Sequence, residues 1–498
     1  MLELHHGFTT GIMKRICLIE SLESRALFSA YFVAPTGSDT GLGTNAAPWK
    51  TIQKAFDAVK AGDVVTVRAG EYAGASRMSM KGTAAAPILF KADPGVLVTS
   101  KAVKETAVDT GLELYGYDDA TRSTYVTLDG FTVNNASGTI STDGSSGFRI
   151  RWTDHVTLRN CTAINNGWMG FYTSRNTNLT IANSESAFNN GFVDPLSTAR
   201  NHGIYVDGGS SYVTLSNNSV HDNNGNGIHS NENSNHLLIE GNRVFNNGAI
   251  GGSALNNDGL QDSVIRNNLL YNNKAKGLSL YNRDSVNPAS GNTIINNTII
   301  QPGGTSALTV LGAAINTKIY NNILVTPGGP TIYFDDAARP GSAIDNNVHV
   351  SSSSLPFSGG VGGDTRMSLA TWRSTDGFDA RGIITTSAKL FMDPANNDYR
   401  LLLTSPARRM ADVSMLPATD ISGMPRVAAD ADAGAYRYWL QGDANFDDII
   451  TGDDYTIIDS NLNLSSTAGQ YAWGDLNYDG MVTGDDYTII DSNLGLRA

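Results

Sequence analysis

Leu215-Ser216-Asn217-Asn218, Ile239-Glu240-Gly241-Asn242, Ile265-Arg266-Asn267-Asn268 and Ile294-Ile295-Asn296-Asn297 are successive copies of one pattern, an apolar strand end running into a polar turn. It extends upstream as Leu158-Arg159-Asn160-Cys161 and Ile181-Ala182-Asn183-Ser184, and downstream as Ile319-Tyr320-Asn321-Asn322 and Ile344-Asp345-Asn346-Asn347. Counted from Asn160, the intervals are 23, 34, 24, 26, 29, 25 and 25 residues. A near-constant period with occasional insertions is the mark of a solenoid with one coil per repeat. Each repeat holds short β-branched strands split by Asn, Gly and Ser, with no 3.6-residue apolar rhythm. That excludes leucine-rich and helical repeats and predicts three short strands per coil. Coils stack at the strand spacing of about 4.8 Å, so each turn Asn lies above the last. Stacked amides satisfy one another at a tight bend, and Asn tolerates the left-handed backbone such bends need. These Asn are therefore assigned a structural role. The expected fold is all-β, a right-handed parallel β-helix.

Composition bounds the rest. The formal charge of −13 is uneven: residues 441–498 hold eleven Asp against one Arg, which leaves the body close to neutral. With no basic surface in either part, nucleic-acid binding is not expected. No stretch approaches the roughly 20 apolar residues needed to span a membrane. Cys17 and Cys161 cannot build a disulfide framework, and Cys161 falls at a core-facing repeat position, where it reads as a small buried thiol.

Two flanking segments frame the repeats. Tyr31–Asp39, Pro48-Trp-Lys-Thr-Ile-Gln-Lys-Ala-Phe56 and Gly62–Tyr72 resemble the entrance of bacterial β-helix proteins, among them polysaccharide lyases of the pectate, alginate and chondroitin-cleaving groups. The amphipathic run Thr51–Lys60 is expected to cap the open end, where bare strand edges invite association. Asp393–Leu402 and Asp432–Tyr436 resemble the closing segment of the same proteins. The resemblance spans roughly residues 31–440. Ahead of it, Ile19–Ser29 resembles the LEPR-type N-terminal segment of secreted surface proteins of certain aquatic bacteria, with Ser24 where that pattern has Pro. The expected organisation is an export segment at 1–30, the β-helix at 31–385, its closing segment at 386–440 and a separate module at 441–498. A secreted or cell-surface monomer follows from this reading.

The C-terminal module contains two near copies 32 residues apart, Asp443–Asp454 and Asp475–Asp486. Each offers oxygen ligands at loop positions 1, 3 and 5 (Asp443, Asn445, Asp447; Asp475, Asn477, Asp479) and an acidic residue at position 12 (Asp454; Asp486). This is the EF-hand calcium spacing with Asp in place of the closing Glu. Each loop feeds a short helical run, Tyr-Thr-Ile-Ile-Asp-Ser-Asn-Leu. Duplicated loop-then-helix without a leading helix resembles a type I dockerin, which implies Ca²⁺ and a cohesin-like partner.

A packed solenoid interior leaves function to an outer face or to inserted loops. Alternation in Gly203-Ile204-Tyr205-Val206-Asp207 turns Ile204 and Val206 inward and Tyr205 and Asp207 outward. The same register exposes His229 and Asn231, then Asn256 and Asp258, then Ser279 and Tyr281. Earlier coils expose Arg149 and Arg151, then Tyr172 and Ser174. Two outward columns result, Tyr205–His229–Asn256–Ser279 and Asp207–Asn231–Asp258–Tyr281. His202, Asn226, Ser253 and Lys276 form a third at the preceding turn. Insertions at Gly191–Arg200 and Asn282–Ser290 flank this patch, which is the expected working face.

Asp207, Asn231, Glu232 and Asp258 can supply oxygen ligands to one Ca²⁺. The ion would acidify the α-proton of a uronate, and Lys276 or Lys274 would abstract it in a β-elimination. His229, Tyr281 and Arg283 complete the candidate catalytic set. Tyr172, Tyr205, His202, Asn256, Arg149 and Arg151 are the candidate sugar contacts. The arrangement resembles the family 9 polysaccharide lyases, pectate lyases with an Asp-based calcium site and a lysine base. Asp207, Asn231-Glu232 and Lys274 match that family's spacing, but its Asp-Asp-Gly-x-Asp cluster is replaced by Ser230-Asn-Glu-Asn233. Hydrolysis is the rival: Asp207 and Asp258 lie two coils apart, near the ~6.5–9.5 Å separation of inverting glycosidases. An epimerase, or a non-catalytic glycan-binding solenoid using Tyr172, Tyr205 and Tyr281, stays open.

Overall fold

The computed structural model describes residues 29–102, 110–134, 146–190, 201–249, 251–445, 447, 449–465, 474–477 and 479–497. The export-segment resemblance, the Gly191–Arg200 insertion and Cys17 lie outside these residues.

The repeats wind into a right-handed parallel β-helix. Each coil contributes one strand to each of three faces. In one coil these are Thr214–Ser216 on the first face, Ser219–His221 on the second and Ile228–Ser230 on the third. The first face is a continuous 12-stranded sheet, beginning at Ala30–Val33 and ending at Ala343–Asp345. Among the described residues, the other two join near the start, where Gly70–Met78 pairs with both Val96–Ala102 and Leu112–Tyr115. Inside, like residues stack: Leu215, Ile239, Ile265, Ile294 and Ile319 follow one another in register, each 0% exposed.

The two Asn of the repeat do different jobs. The first occupies the left-handed bend: Asn160, Asn183, Asn217, Asn267, Asn296, Asn321 and Asn346 have φ of 50–59°, and Gly241 takes the same place at 67°. The second points inward and builds the ladder. Asn218, Asn242, Asn268, Asn297, Asn322 and Asn347 each donate through Nδ2 to the next residue's Oδ1 at 2.9–3.0 Å. The ladder ends on Asp379, whose other carboxylate oxygen meets buried His349 Nε2 at 3.1 Å. A second ladder runs Asn166–Asn189–Asn223–Asn247–Asn273 at the next corner. Cys161 is free and fully buried beneath the first ladder, as its repeat position predicts.

The helix Ile52–Ala58 closes the N-terminal end, capped by Thr51 and burying Ile52, Ala55 and Phe56. At the far end, the segment from Leu390 onward returns along the second face, packing Leu390, Phe391, Tyr399 and Ile421 on Leu269, Ile323 and Val348. Bend residues tie it down: Asn267, Asn321 and Asn346 donate to the carbonyls of Thr419, Asp412 and Met410. Beyond it, helices Gly452–Asn461 and Gly484–Asn493 enclose a small core of Ile450, Ile458, Leu476, Val482 and Ile490.

Candidate functional site

The third face carries the expected columns in the expected register. Arg149 pairs with Tyr172, Tyr172 with Tyr205, Tyr205 with His229, His229 with Asn256 and Asn256 with Ser279. Arg151, Ser174 and Asp207 align in the second column, and Asp258 aligns with Tyr281. At the turn, the N–H of Asn226 donates to His202 Nδ1 at 3.0 Å and that of Ser253 to Asn226 Oδ1 at 2.7 Å.

Exposure differs from expectation. Side by side on stacked coils, these side chains cover one another: His202, Asn226, Ser253 and Ser279 are buried, and Tyr205, His229, Asn231 and Tyr281 are half-buried. Asp258 departs furthest, at 1% exposed. The insertion after Tyr281 folds back over it. The N–H groups of Arg283 and Ser285 donate to Asp258 Oδ1 at 3.0 and 3.4 Å, and that of Asp284 to Oδ2 at 2.9 Å. A carboxylate so enclosed is an anchor for the insertion, so Asp258 leaves both the cation-ligand set and the paired-carboxylate scheme. Asn256 is spoken for as well, donating to Tyr281 Oη at 2.9 Å and accepting from Ser279 Oγ at 2.8 Å. Burial, reinforced by the Asp258 charge, holds the Tyr281 phenol up at about 12, away from acid–base work near neutral pH. The Arg283 side chain is exposed.

What remains forms a compact polar patch. Ser174 Oγ, Asp207 Oδ1, Asn231 Oδ1, His229 Nε2, Arg149 Nε and Arg151 Nε are buried atoms without a hydrogen-bond partner among the described residues. Buried polar atoms are nearly always satisfied, and six exceptions among the described residues share this one face. Asn231 Nδ2 donates to Tyr205 Oη at 3.0 Å, which leaves Oδ1 as its partnerless atom. Burial and the neighbouring Glu232 charge raise the Asp207 carboxyl above its ordinary value. Glu232 itself is exposed, on a left-handed turn at φ 51°. His229 is held neutral: burial pushes its pKa down to about 4, and Nδ1 lies 3.1 Å from His202 Nε2.

The two candidate lysines separate clearly. Lys274 is exposed, whereas Lys276 is half-buried at the turn, and burial alone lowers its pKa. The upstream end is cationic and aromatic. Arg149 pairs with buried Glu113 at 3.2 Å and lies 5.9 Å from the Tyr172 ring centre. Trp168, which sequence reasoning missed, packs on Tyr172 at 5.4 Å. Its signal was its place in the turn just before an outward aromatic.

In the C-terminal module, the position-12 carboxylates serve their own loops. Asp454 accepts from the N–H groups of Ala444, Asn445 and Thr451, and Asp486 repeats this with Leu476, Asn477 and Thr483. Asp443 and Asp475, at position 1, are fully buried. Among the described residues, no three His, Cys, Asp or Glu side chains converge closely enough to hold a metal ion.

Residues 31–194 match a family described as Pel9A-like, right handed beta helix region, and residues 196–324 one described as right handed beta helix region. The pectate lyase PEL9 of Emericella nidulans is 31% identical over 109 residues, 21% of this chain and 27% of that protein. The match thus spans about a quarter of the length of that curated relative. The crystal structure of pectate lyase Pel9A superposes with a TM-score of 0.51 at 16% identity, over 82% of this chain and 96% of that one. The complex of XylC with xylose gives a TM-score of 0.50 at 11% identity, over 82% and 98%. At such identities the structural likeness concerns the fold. Among the described residues, no helix is long and apolar enough to cross a membrane.

Proposed function

We propose that the protein cleaves a uronate-containing polysaccharide by calcium-assisted β-elimination on the third face, with Lys276 as the base. One observation carries this reading: Asp207 and Asn231 keep partnerless oxygens on the third face, and Lys276, at the turn two coils beyond Asn231, has its pKa lowered by burial. The match of residues 31–194 to the Pel9A-like description supports the reaction class.

Ser174, Asp207, Asn231 and Glu232 offer only oxygen donors, which suits a hard cation. Calcium held there would offset the charge of a uronate carboxylate and acidify the adjacent C5–H. Lys276 Nζ, its pKa lowered by burial, takes the C5 proton. The C–H electrons form the C4=C5 double bond, the C4–O bond breaks, and the departing oxygen takes a proton from water. Arg149 and Arg151 orient carboxylates of neighbouring sugars, and Tyr172 with Trp168 supplies a stacking surface. Hydrolysis by paired carboxylates is disfavoured, because the insertion encloses Asp258.

In the same reading, the two C-terminal loops bind Ca²⁺ and form a dockerin-like module for a cohesin-like partner, and the protein acts as a monomer outside the cell. The near-identical loops and the burial of Asp443 and Asp475 support the cation sites.

The test is ultraviolet absorbance of unsaturated product from pectate, alginate and glycosaminoglycans, with calcium and with chelator. A calcium-dependent rise that Lys276→Ala abolishes is the expected result. No rise on any of these polymers sinks the lyase reading for them.

A further inference from the structure

The first face carries a feature that the elimination chemistry does not use. Every coil from Tyr125 onward carries one left-handed residue at this place, inside the strands Ser123–Asp129 and Thr153–Arg159 and two residues ahead of each later strand. Five of these are Asn178, Asp262, Gly291, Asn316 and Gly341, residues that adopt this conformation with little strain. The remaining coils of the same stretch put rings there: Tyr125 and His155 at φ 50° and 53°, then Tyr212 and His236 at 55° and 53°. Tyr in this conformation is strained, so Tyr125 and Tyr212 are kept at a cost that Asn or Gly would avoid.

The rings form two stacks. Tyr125 and His155 lie 4.5 Å apart with planes at 13°, and Tyr212 and His236 lie 4.7 Å apart at 25°. Between the stacks stands one coil with Asn178 in place of a ring. His155 and Tyr212 are therefore two coils apart, about 9–10 Å along the axis. A ring seated midway would meet each neighbour at the separation already found within the stacks. The gap lies in an open surface depression of about 430 Å³ that runs along this face from Pro87 to Tyr212, with Tyr125, His155 and Asn178 and the half-buried Thr157, Thr180 and Thr214 in its lining.

The geometry points to a second glycan-binding site here, in which one uncharged pyranose ring is sandwiched between His155 and Tyr212. Its hydroxyls would meet the threonine row, and its chain would run along the solenoid axis. An uncharged sugar fits better than a uronate, because the carboxylate beside the slot is Asp154, held by Asn178 Nδ2 at 2.9 Å and by His155 Nδ1 at 2.9 Å. The inference rests on the reading that the protein works on polysaccharide, but it needs neither calcium nor Lys276. It would give the protein an anchor on neutral polymer separate from the face proposed for cleavage.

Native electrophoresis of the full chain in gels containing xylan, galactan, mannan or hydroxyethyl cellulose tests it, with chelator present and polygalacturonate as the charged comparator. At least one uncharged polymer should retard the protein. Tyr212→Ala should weaken the retardation about fivefold, and Tyr212→Phe should keep it, as expected for stacking. Both variants should retain the wild-type thermal transition, since Tyr212 is 55% exposed. Their release of unsaturated product from soluble substrate should match wild type. Wild-type mobility unchanged by every uncharged polymer, or Tyr212→Ala retarded as strongly as wild type, overturns the site. Absence of unsaturated product together with ring-dependent retardation would defeat the lyase reading and leave this one standing.

Discussion

Asn218 donates its side-chain amide to Oδ1 of Asn242, one coil on, at 3.0 Å, while its own Oδ1 accepts from the backbone N–H of Ser184. The residue just before it makes no such ladder contact and serves only to turn the chain, at φ 56°. Adjacent Asn should therefore respond oppositely to substitution. Asn218→Ala leaves the buried Ser184 N–H and Ile181 carbonyl of the preceding coil without their side-chain partner and should cost at least about 2 kcal/mol. Asn217→Gly should change stability by less than about 1 kcal/mol, since Gly241 already fills the equivalent turn. Thermal unfolding of the two variants decides it; equal losses would contradict the division of labour.

His221 gives a pH dependence with a definite sign. Burial opposes its charge, but Glu185 Oε1 at 3.1 Å and Asp222 Oδ2 at 2.8 Å outweigh burial and raise its pKa above 6.5. A raised folded-state pKa contributes stability that is complete below the unfolded value and lost as pH climbs through the folded one. Glu185 is 43% exposed, so solvent screening keeps the effect below about 1 kcal/mol. His221→Gln should flatten the decline in melting temperature between pH 6 and 8. An identical decline in the variant would show that other groups set it.

Lys276→Ala should reduce the rate of unsaturated-product release by about 10²–10⁴, the usual contribution of a general base. Lys274→Ala, on an exposed side chain, should leave the rate within about twofold. Because burial moves the Lys276 pKa down from 10.5, wild-type rate should rise with pH on the alkaline side and level off below that value. Reversal of the two lysines in the rate assay would reassign the base.

Asp207→Asn and Asn231→Ala should both raise the calcium concentration that gives half-maximal rate, with Asp207→Asn the larger effect because it removes a charge. Asp258→Asn should act differently. With backbone N–H groups of the insertion directed at its oxygens, the substitution should lower thermal stability and leave calcium dependence in place. A shift in calcium requirement for Asp258→Asn would restore that residue to the ligand set.

Calorimetric titration of the full chain with Ca²⁺ should show two further sites that Asp443→Ala and Asp475→Ala remove one at a time. Lyase rate at saturating calcium should not respond. Loss of heat in neither variant would mean that the acidic repeats bind no cation.

Much of the third face was legible because a strand alternates with a strict period of two and parallel coils preserve it. Tyr205 over His229 over Asn256 followed directly from aligning the repeats. Exposure was not legible. Whether an outward side chain meets solvent depends on what folds back over it, and Asn282–Ser290 reads in sequence only as an insertion. The same gap hid the slot at Asn178, because stacking between Tyr125 and His155 requires knowing that both turns adopt one conformation.

The sequence by itself determined the repeat, the inward and outward sets and the identity of the ladder residues, since each depends on spacing along the chain and on what a side chain does to its own backbone. Only the tertiary structure decided that Asp258 anchors a loop while Asp207 keeps a partnerless oxygen, and that Lys276 rather than Lys274 is half-buried. Desolvation and hydrogen-bond satisfaction are set by atoms brought in from other coils, and local spacing carries no record of those.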